Sequence, residues 1–246
     1  MNIAIIGKGA IGRYVRDEAL RRGHEVRAVL VRPVRLQDLP EDIDLMVDCA
    51  GHEALKSYGP DILRRGIDVL TVSIGALADP ATYDALEKAA AEGSAKLHLA
   101  SGAIGALDCL RAARVGELET VTYIGRKPPA GWKGSLAESR LDLDNLDGAE
   151  VHFDGNARDA AIEYPKNANV AAAVALAGLG FDDTRVRLIA DPDIDENIHE
   201  IQASGDFGRF SFEIRGNALP DNPRSSALAA MSVVSRLEQE TKSICF

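Results

Sequence analysis

Near the start of the chain, Gly7-Lys8-Gly9-Ala10-Ile11-Gly12 places glycine at the first, third and sixth positions of a six-residue turn. The spacing suits a backbone that must turn sharply and then admit a phosphate. Gly7 permits the tight turn, Gly9 the close approach of a pyrophosphate, and Gly12 the packing of a following helix on the preceding strand. A dinucleotide would rest its pyrophosphate on the unpaired N–H groups of that helix N-terminus, with Gly7, Gly9, Ala10, Ile11 and Gly12 as contacts. About 20 residues further on, an acid would accept the ribose hydroxyls of NAD, whereas an arginine would suit the 2′-phosphate of NADP. Arg32 stands there, Arg35 follows, and no acid occurs before Asp38. NADP, or use of both nucleotides, is therefore expected; a solvated basic loop is the alternative.

Residues able to move a proton or hold an anion lie mostly in the second half. His199 stands in Asp195-Glu196-Asn197-Ile198-His199-Glu200, a polar stretch at the start of a strand. A histidine there can act as acid or base near neutrality, or can be a surface residue in an acidic loop. Tyr164-Pro165-Lys166-Asn167-Ala168-Asn169 precedes an alanine-rich helix. One asparagine serves as a cap, and the remaining polar groups suggest a ligand wall in which Lys166 could meet a carboxylate. Arg126-Lys127-Pro128-Pro129 could hold an anion, but solvation is the ordinary reading. Cys49, Cys109 and Cys245 are widely spaced without a Cys-x-x-Cys, so neither a disulfide framework nor a metal site is expected.

The elements that must position these groups follow from hydrophobic periodicity. Strand signals at Ile3–Ile6, Glu25–Val31, Asp44–Ala50, Val69–Ser73 and Ala95–Ala100 alternate with helix signals, as a doubly wound parallel sheet of Rossmann type requires. Ligands of such sheets bind beyond the carboxyl ends of the strands. Cys49-Ala50-Gly51, Ser73-Ile74-Gly75 and Ser101-Gly102-Ala103 fall there as small-residue turns. After residue 107 strands follow one another more closely, with helices expected near Ala157–Ile162 and Asn169–Leu179. This predicts an α+β domain with a mixed or antiparallel sheet. Leu228, Met231, Val234 and Leu237 lie at helical spacing in the tail, which is expected to pack on the nucleotide domain. The expected division is a dinucleotide-binding domain over 1–107, completed by a C-terminal helix over 220–246, and a substrate, catalytic and dimerisation domain over 108–219.

A net charge of −10 argues against nucleic acid and anionic membranes, both of which need a basic face. The longest apolar run, Val170–Phe181, is 12 residues and too short to span a bilayer. With no export signal evident at the start, a cytoplasmic location is expected.

Several segments in chain order resemble the L-aspartate dehydrogenase family. They are Gly7–Gly12, Ser73–Asp79, Ser101–Asp108, Tyr123–Pro129, Tyr164–Val170, Ala175–Phe181, Ile198-His199 and Leu219–Leu228. The resemblance implies NAD(P)-linked, reversible oxidative deamination of L-aspartate through iminoaspartate to oxaloacetate and ammonia, which in some members feeds NAD biosynthesis. It carries the family's catalytic histidine onto His199 and its nicotinamide contacts onto Ala103 and Asn169, and it implies a homodimer. Lys166 and the Ser101-Gly102 turn are the expected carboxylate partners, and no metal is expected. Two rivals are a dihydrodipicolinate-reductase-like imine reductase, whose histidine-rich substrate motif is not found, and a non-enzymatic NAD(P)H sensor, against which the acidic balance counts.

Overall fold

The first apolar run, β1 (Asn2–Ile6), is buried along nearly its whole length, as a strand covered on both faces must be. It opens an alternating series: α1 (Ala10–Arg21), β2 (Glu25–Leu30), β3 (Leu45–Asp48), α2 (His52–Arg64), β4 (Asp68–Thr71), α3 (Pro80–Gly93) and β5 (Leu97–Leu99). These strands form one parallel sheet in the order β2-β1-β3-β4-β5. In a doubly wound sheet of this order the direction of winding reverses between β1 and β3, which opens a crevice beyond their carboxyl ends. The computed structural model describes residues 1–165, 168–219 and 222–244, and only the backbone of Asn222, Pro223 and Arg224.

The chain divides into two compact units, Met1–Gly102 with Ala229–Phe246, and Ala103–Leu228. The borders expected from the sequence lie after residues 107 and 219.

The second unit begins with α4 (Leu107–Ala113) and β6 (Leu118–Lys127), followed by β7 (Glu150–Asn156), α5 (Ala157–Glu163), α6 (Asn169–Ala177), β8 (Arg185–Ala190), β9 (Asn197–Gly205) and β10 (Gly208–Gly216). Its five strands lie in the order β10-β9-β6-β8-β7. The sheet is mixed, because β6 and β8 run parallel while the other neighbours are antiparallel. A small pair, β11 (Ala218–Leu219) and β12 (Asn222–Ser226), leads into α7 (Ala227–Thr241). Val121, Tyr123, Gly125 and Lys127 share one face of β6, since side chains alternate along a strand. Helix α6 lies on that face, where a Cβ on the neighbouring Gly178 would come within 3.2 Å of the Val121 side chain.

Val233, Val234 and Leu237 of α7 join Ile3, Val15, Leu45 and Leu70 in the core of the first unit. The buried stripe of α7 runs through Ala230, Val233, Val234 and Leu237, so Met231, expected inside, is 47% exposed. Arg22 bridges Glu18 and Glu238, tying α1 to α7 at the rim. No helix among the described residues is long and apolar enough to cross a membrane.

Candidate active site

In the first unit the glycine turn has the geometry that its spacing demands. Gly7 has φ +105°, and a Cβ there would stand 2.9 Å from the carbonyl oxygen of Cys49. At Gly12 a Cβ would stand 2.2 Å from the Gly7 carbonyl, so the helix and the turn meet backbone to backbone. Gly9, the N-cap of α1, has no atom within 4 Å of its Cβ position. The cradle is open where a phosphate would approach, and no acid occupies the first turn of α1 to repel one. These residues fit a dinucleotide. Ala10 opens the helix, while Ile11 turns partly into the core.

Arg32 and Arg35 are exposed beyond the carboxyl end of β2, one strand from the turn. The buried carboxylate of Asp48 accepts hydrogen bonds from Thr71 Oγ1 (2.7 Å), Ser73 Oγ (2.7 Å) and the Ala50 amide (3.0 Å). It stitches together the ends of β3 and β4, and with them the loop against which Gly7 rests. Burial pushes its carboxyl above the usual range. Both turns are visible as small-residue segments in the sequence, whereas the acid that fastens them is not. Gly102, at φ +73°, donates its N–H to Ser232 Oγ at 3.1 Å. That donor, expected to meet a substrate carboxylate, is engaged within the protein; the adjoining Ser101 is exposed. Cys49 and Cys109 are free thiols, and no cluster among the described residues has the makings of a metal site.

In the second unit His199 lies on β9 directly opposite Gly125 of β6 and is 5% exposed. The sequence context suggested an acidic surface loop, but strand alternation turns the histidine inward and Glu200 outward. Tyr123 Oη lies 2.8 Å from His199 Nδ1, with the two rings stacked at 6.0 Å. Gly125 makes this bond possible, because a Cβ at that position would stand 2.7 Å from the phenol oxygen. Burial, and then the Lys127 charge, pull the imidazole down to about 3, so it is neutral at physiological pH. Burial also pushes the Tyr123 phenol up.

Lys127 is the main feature missed in the sequence. Solvation is the ordinary reading of the Arg126-Lys127 pair, yet the two project from opposite faces of β6. Arg126 pairs with Asp191 at 3.0 Å. Lys127 turns inward, its ammonium 5.1 Å from the centroid of Trp132, and burial pulls it down to about 8. Trp132 packs edge-on against His152, whose Nδ1 lies 3.0 Å from Tyr164 Oη. Burial first, then Arg140 and Lys127, pull His152 down to about 4.

Ala103 is buried at the start of the second unit, and Asn169 is the first residue of α6. Gly105 brings the segment after Ala103 onto the His199 face, since a Cβ there would stand 2.8 Å from the Phe212 ring. Phe212 shares that face through the β9–β10 register. Lys166 lies outside the described residues.

The profile of a family described as "Aspartate dehydrogenase, C-terminal" matches residues 108–240. A profile described as "Homoserine dehydrogenase, NAD binding domain" matches residues 12–100. An L-aspartate dehydrogenase of Ruegeria pomeroyi is 52% identical over 259 aligned positions, covering 99% of this chain and 94% of the relative. One from Pseudomonas aeruginosa is 46% identical, covering 99% of each. The crystal structure of an aspartate dehydrogenase from Thermotoga maritima superposes with a TM-score of 0.81 at 28% identity, covering 100% of this chain and 99% of that one.

Proposed function

Because the chain belongs to the L-aspartate dehydrogenase family, we propose that it converts L-aspartate, a nicotinamide dinucleotide and water reversibly into oxaloacetate, ammonium and the reduced dinucleotide, with His199 as the acid–base residue. The observation that carries the assignment is the placement of His199: buried, neutral, and oriented through Nδ1 by Tyr123.

The dinucleotide is assigned to the Gly7–Gly12 turn, with Ala103 and Asn169 against the nicotinamide. When bound, it supplies the acceptor for a hydride from the substrate Cα. Loss of that hydride requires a free amine lone pair, so a base must first take a proton from the ammonium group. His199 can take it at Nε2 when Nδ1 carries a hydrogen donated to Tyr123 Oη. The resulting imidazolium keeps that hydrogen bond, and Tyr123 steadies it. After the imidazolium has passed that proton to solvent, the same residue takes a proton from the water attacking the imine carbon and returns it to the carbinolamine nitrogen as the C–N bond breaks, releasing ammonia.

NADP is the preferred dinucleotide in this reading, with Arg32 and Arg35 meeting the 2′-phosphate. The enzyme is further proposed to work in the cytoplasm as a homodimer. The test is the absorbance of reduced nicotinamide, followed with L-aspartate and NADP and then with oxaloacetate, ammonia and NADPH. His199→Asn should lower turnover by on the order of 10²–10⁴ with dinucleotide affinity unchanged. Near-normal turnover in that variant would remove His199 from the chemistry.

A further inference from the structure

The carboxylate of Asp48 divides its two oxygens between two tasks. Oδ2 accepts from the hydroxyls of Thr71 and Ser73, both at 2.7 Å, and so couples the ends of β3 and β4, where Asp48 and Thr71 are paired in register. Oδ1 accepts from the Ala50 amide at 3.0 Å, two residues further along the chain. The first task belongs to the sheet. The second reaches the glycine turn, because the Cys49–Ala50 peptide is the surface on which Gly7 rests.

That contact leaves no slack. A Cβ at Gly7 would stand 2.9 Å from Cys49 O and 3.2 Å from Ala50 Cα, and one at Gly12 would stand 3.6 Å from Cys49 Cβ. The turn and the start of α1 therefore share one backing. Two hydrogen bonds hold it: Cys49 donates its N–H to Ile6 O at 2.9 Å, and Ala50 donates its own to Asp48. Gly51, at φ +93°, then turns the chain away into α2. A phosphate cradle made of backbone N–H groups depends on that backbone standing in place beforehand, since ordering it on binding costs affinity. An acid is also an unusual end for this strand. Leu45, Met46 and Val47 are apolar and buried, and Asp48 is 1% exposed, so its carboxylate is tolerable there only because it is hydrogen-bonded.

We propose that Asp48 is a positioning residue for the dinucleotide: by anchoring the Ala50 amide it holds the Cys49–Ala50 peptide beneath the Gly7–Gly12 turn and sets that turn for the pyrophosphate before the nucleotide arrives, an inference that rests on assigning the dinucleotide to this turn. Asp48 acts through Ala50 and Cys49 rather than by touching the nucleotide. Without the anchor the cradle is competent for only a fraction of the time, and apparent affinity falls by that fraction.

Two variants separate the two oxygens. Asp48→Asn keeps Oδ1 for Ala50 and places an amide nitrogen before the two hydroxyls, which must turn round to accept from it. Asp48→Leu keeps the branched outline and anchors nothing. Calorimetric titration with NADP should find Asp48→Asn close to the wild type although its Tm falls. Asp48→Leu should bind NADP roughly 10- to 100-fold more weakly, with the loss carried by KM for NADP rather than by kcat. Wild-type affinity in Asp48→Leu, or affinity that falls in step with Tm in both variants, overturns the proposal. Gly9→Ala judges the assignment of the turn separately: full affinity there removes the turn from the nucleotide, whereas weak binding by Gly9→Ala beside full affinity in Asp48→Leu removes Asp48 alone. Should Asp48→Leu fail to fold, amide hydrogen exchange of the nucleotide-free wild type decides. The Ala50 amide must be protected as Val47 is; exchange as fast as that of an exposed loop overturns the anchor.

Discussion

Tyr123 Oη and His199 Nδ1 meet at 2.8 Å through the space that Gly125 leaves open between β6 and β9. Tyr123→Phe keeps the stacked ring and removes only the hydroxyl. On the proposed chemistry kcat should fall roughly 10- to 100-fold, the cost of misorienting a proton carrier rather than deleting it. The KM for aspartate should hold while the pH–rate profile moves. An unmoved profile with normal kcat would make the hydrogen bond purely structural.

Gly125→Ala approaches the same bond from the backbone side. The new methyl would sit 2.7 Å from the phenol oxygen and 3.2 Å from Leu188 Cδ2. The variant should show the activity loss of Tyr123→Phe together with destabilisation of about 1–3 kcal/mol from overpacking. Thermal unfolding and kcat, measured on one preparation, check both.

Gly9 and Gly12 separate binding from folding. A methyl at Gly9 meets no protein atom, so Gly9→Ala should keep the wild-type Tm yet bind NADP at least tenfold more weakly, by about 1.4 kcal/mol or more. Gly12→Ala drives a Cβ into the Gly7 carbonyl and should lower Tm before any ligand is added. Equal NADP affinity in Gly9→Ala and wild type would place the phosphates elsewhere.

Arg32→Asp reverses the charge proposed to face the 2′-phosphate. The ratio of kcat/KM with NADP to that with NAD should fall by about 10- to 100-fold. A constant ratio would relieve Arg32 of the role and leave Arg35 to be tested alone.

Acid should destabilise the second unit through its buried imidazoles. A histidine held at about 4 when folded and near 6.5 when unfolded binds more protons in the unfolded chain between those values. The stability it lends is whole above pH 6.5 and drains away as pH falls toward 4. His152→Phe keeps an aromatic ring beside Trp132 and cannot titrate, so its Tm should decline less over that window. Parallel declines in Tm for variant and wild type would show that His152 does not govern the loss.

The first unit was legible because its signals are local: Gly7–Gly12 adjoin the strand and helix they connect, and each apolar run is short and bounded. The second site was less so. Tyr123 and His199 are 76 residues apart and become neighbours only through strand register. Along β6 either alternate set could have faced inward; Ile124 favours one choice and Tyr123 the other. A lysine on the inward set runs against the usual pattern; Trp132, brought back over the sheet end by a short 3₁₀ turn (Pro129–Trp132), offers its ammonium an aromatic face. Leu20 stands at helical spacing beside Val15 and Ala19 yet is 53% exposed, because the buried stripe of α1 is narrow and ends at Ala19. Asp48 gave no signal at all, since its partners Thr71 and Ser73 come from the next strand and its end.

The placement of α7 has a consequence for the birth of the molecule. The parallel sheet is complete by Leu99, but Val233, Val234 and Leu237, which seal its core, are made only after the strands and helices of the second unit. A ribosome therefore releases the whole second unit before the first can close. A nascent chain stalled anywhere before α7 would expose an open apolar surface on the nucleotide-binding half, where chaperones or proteases would find it.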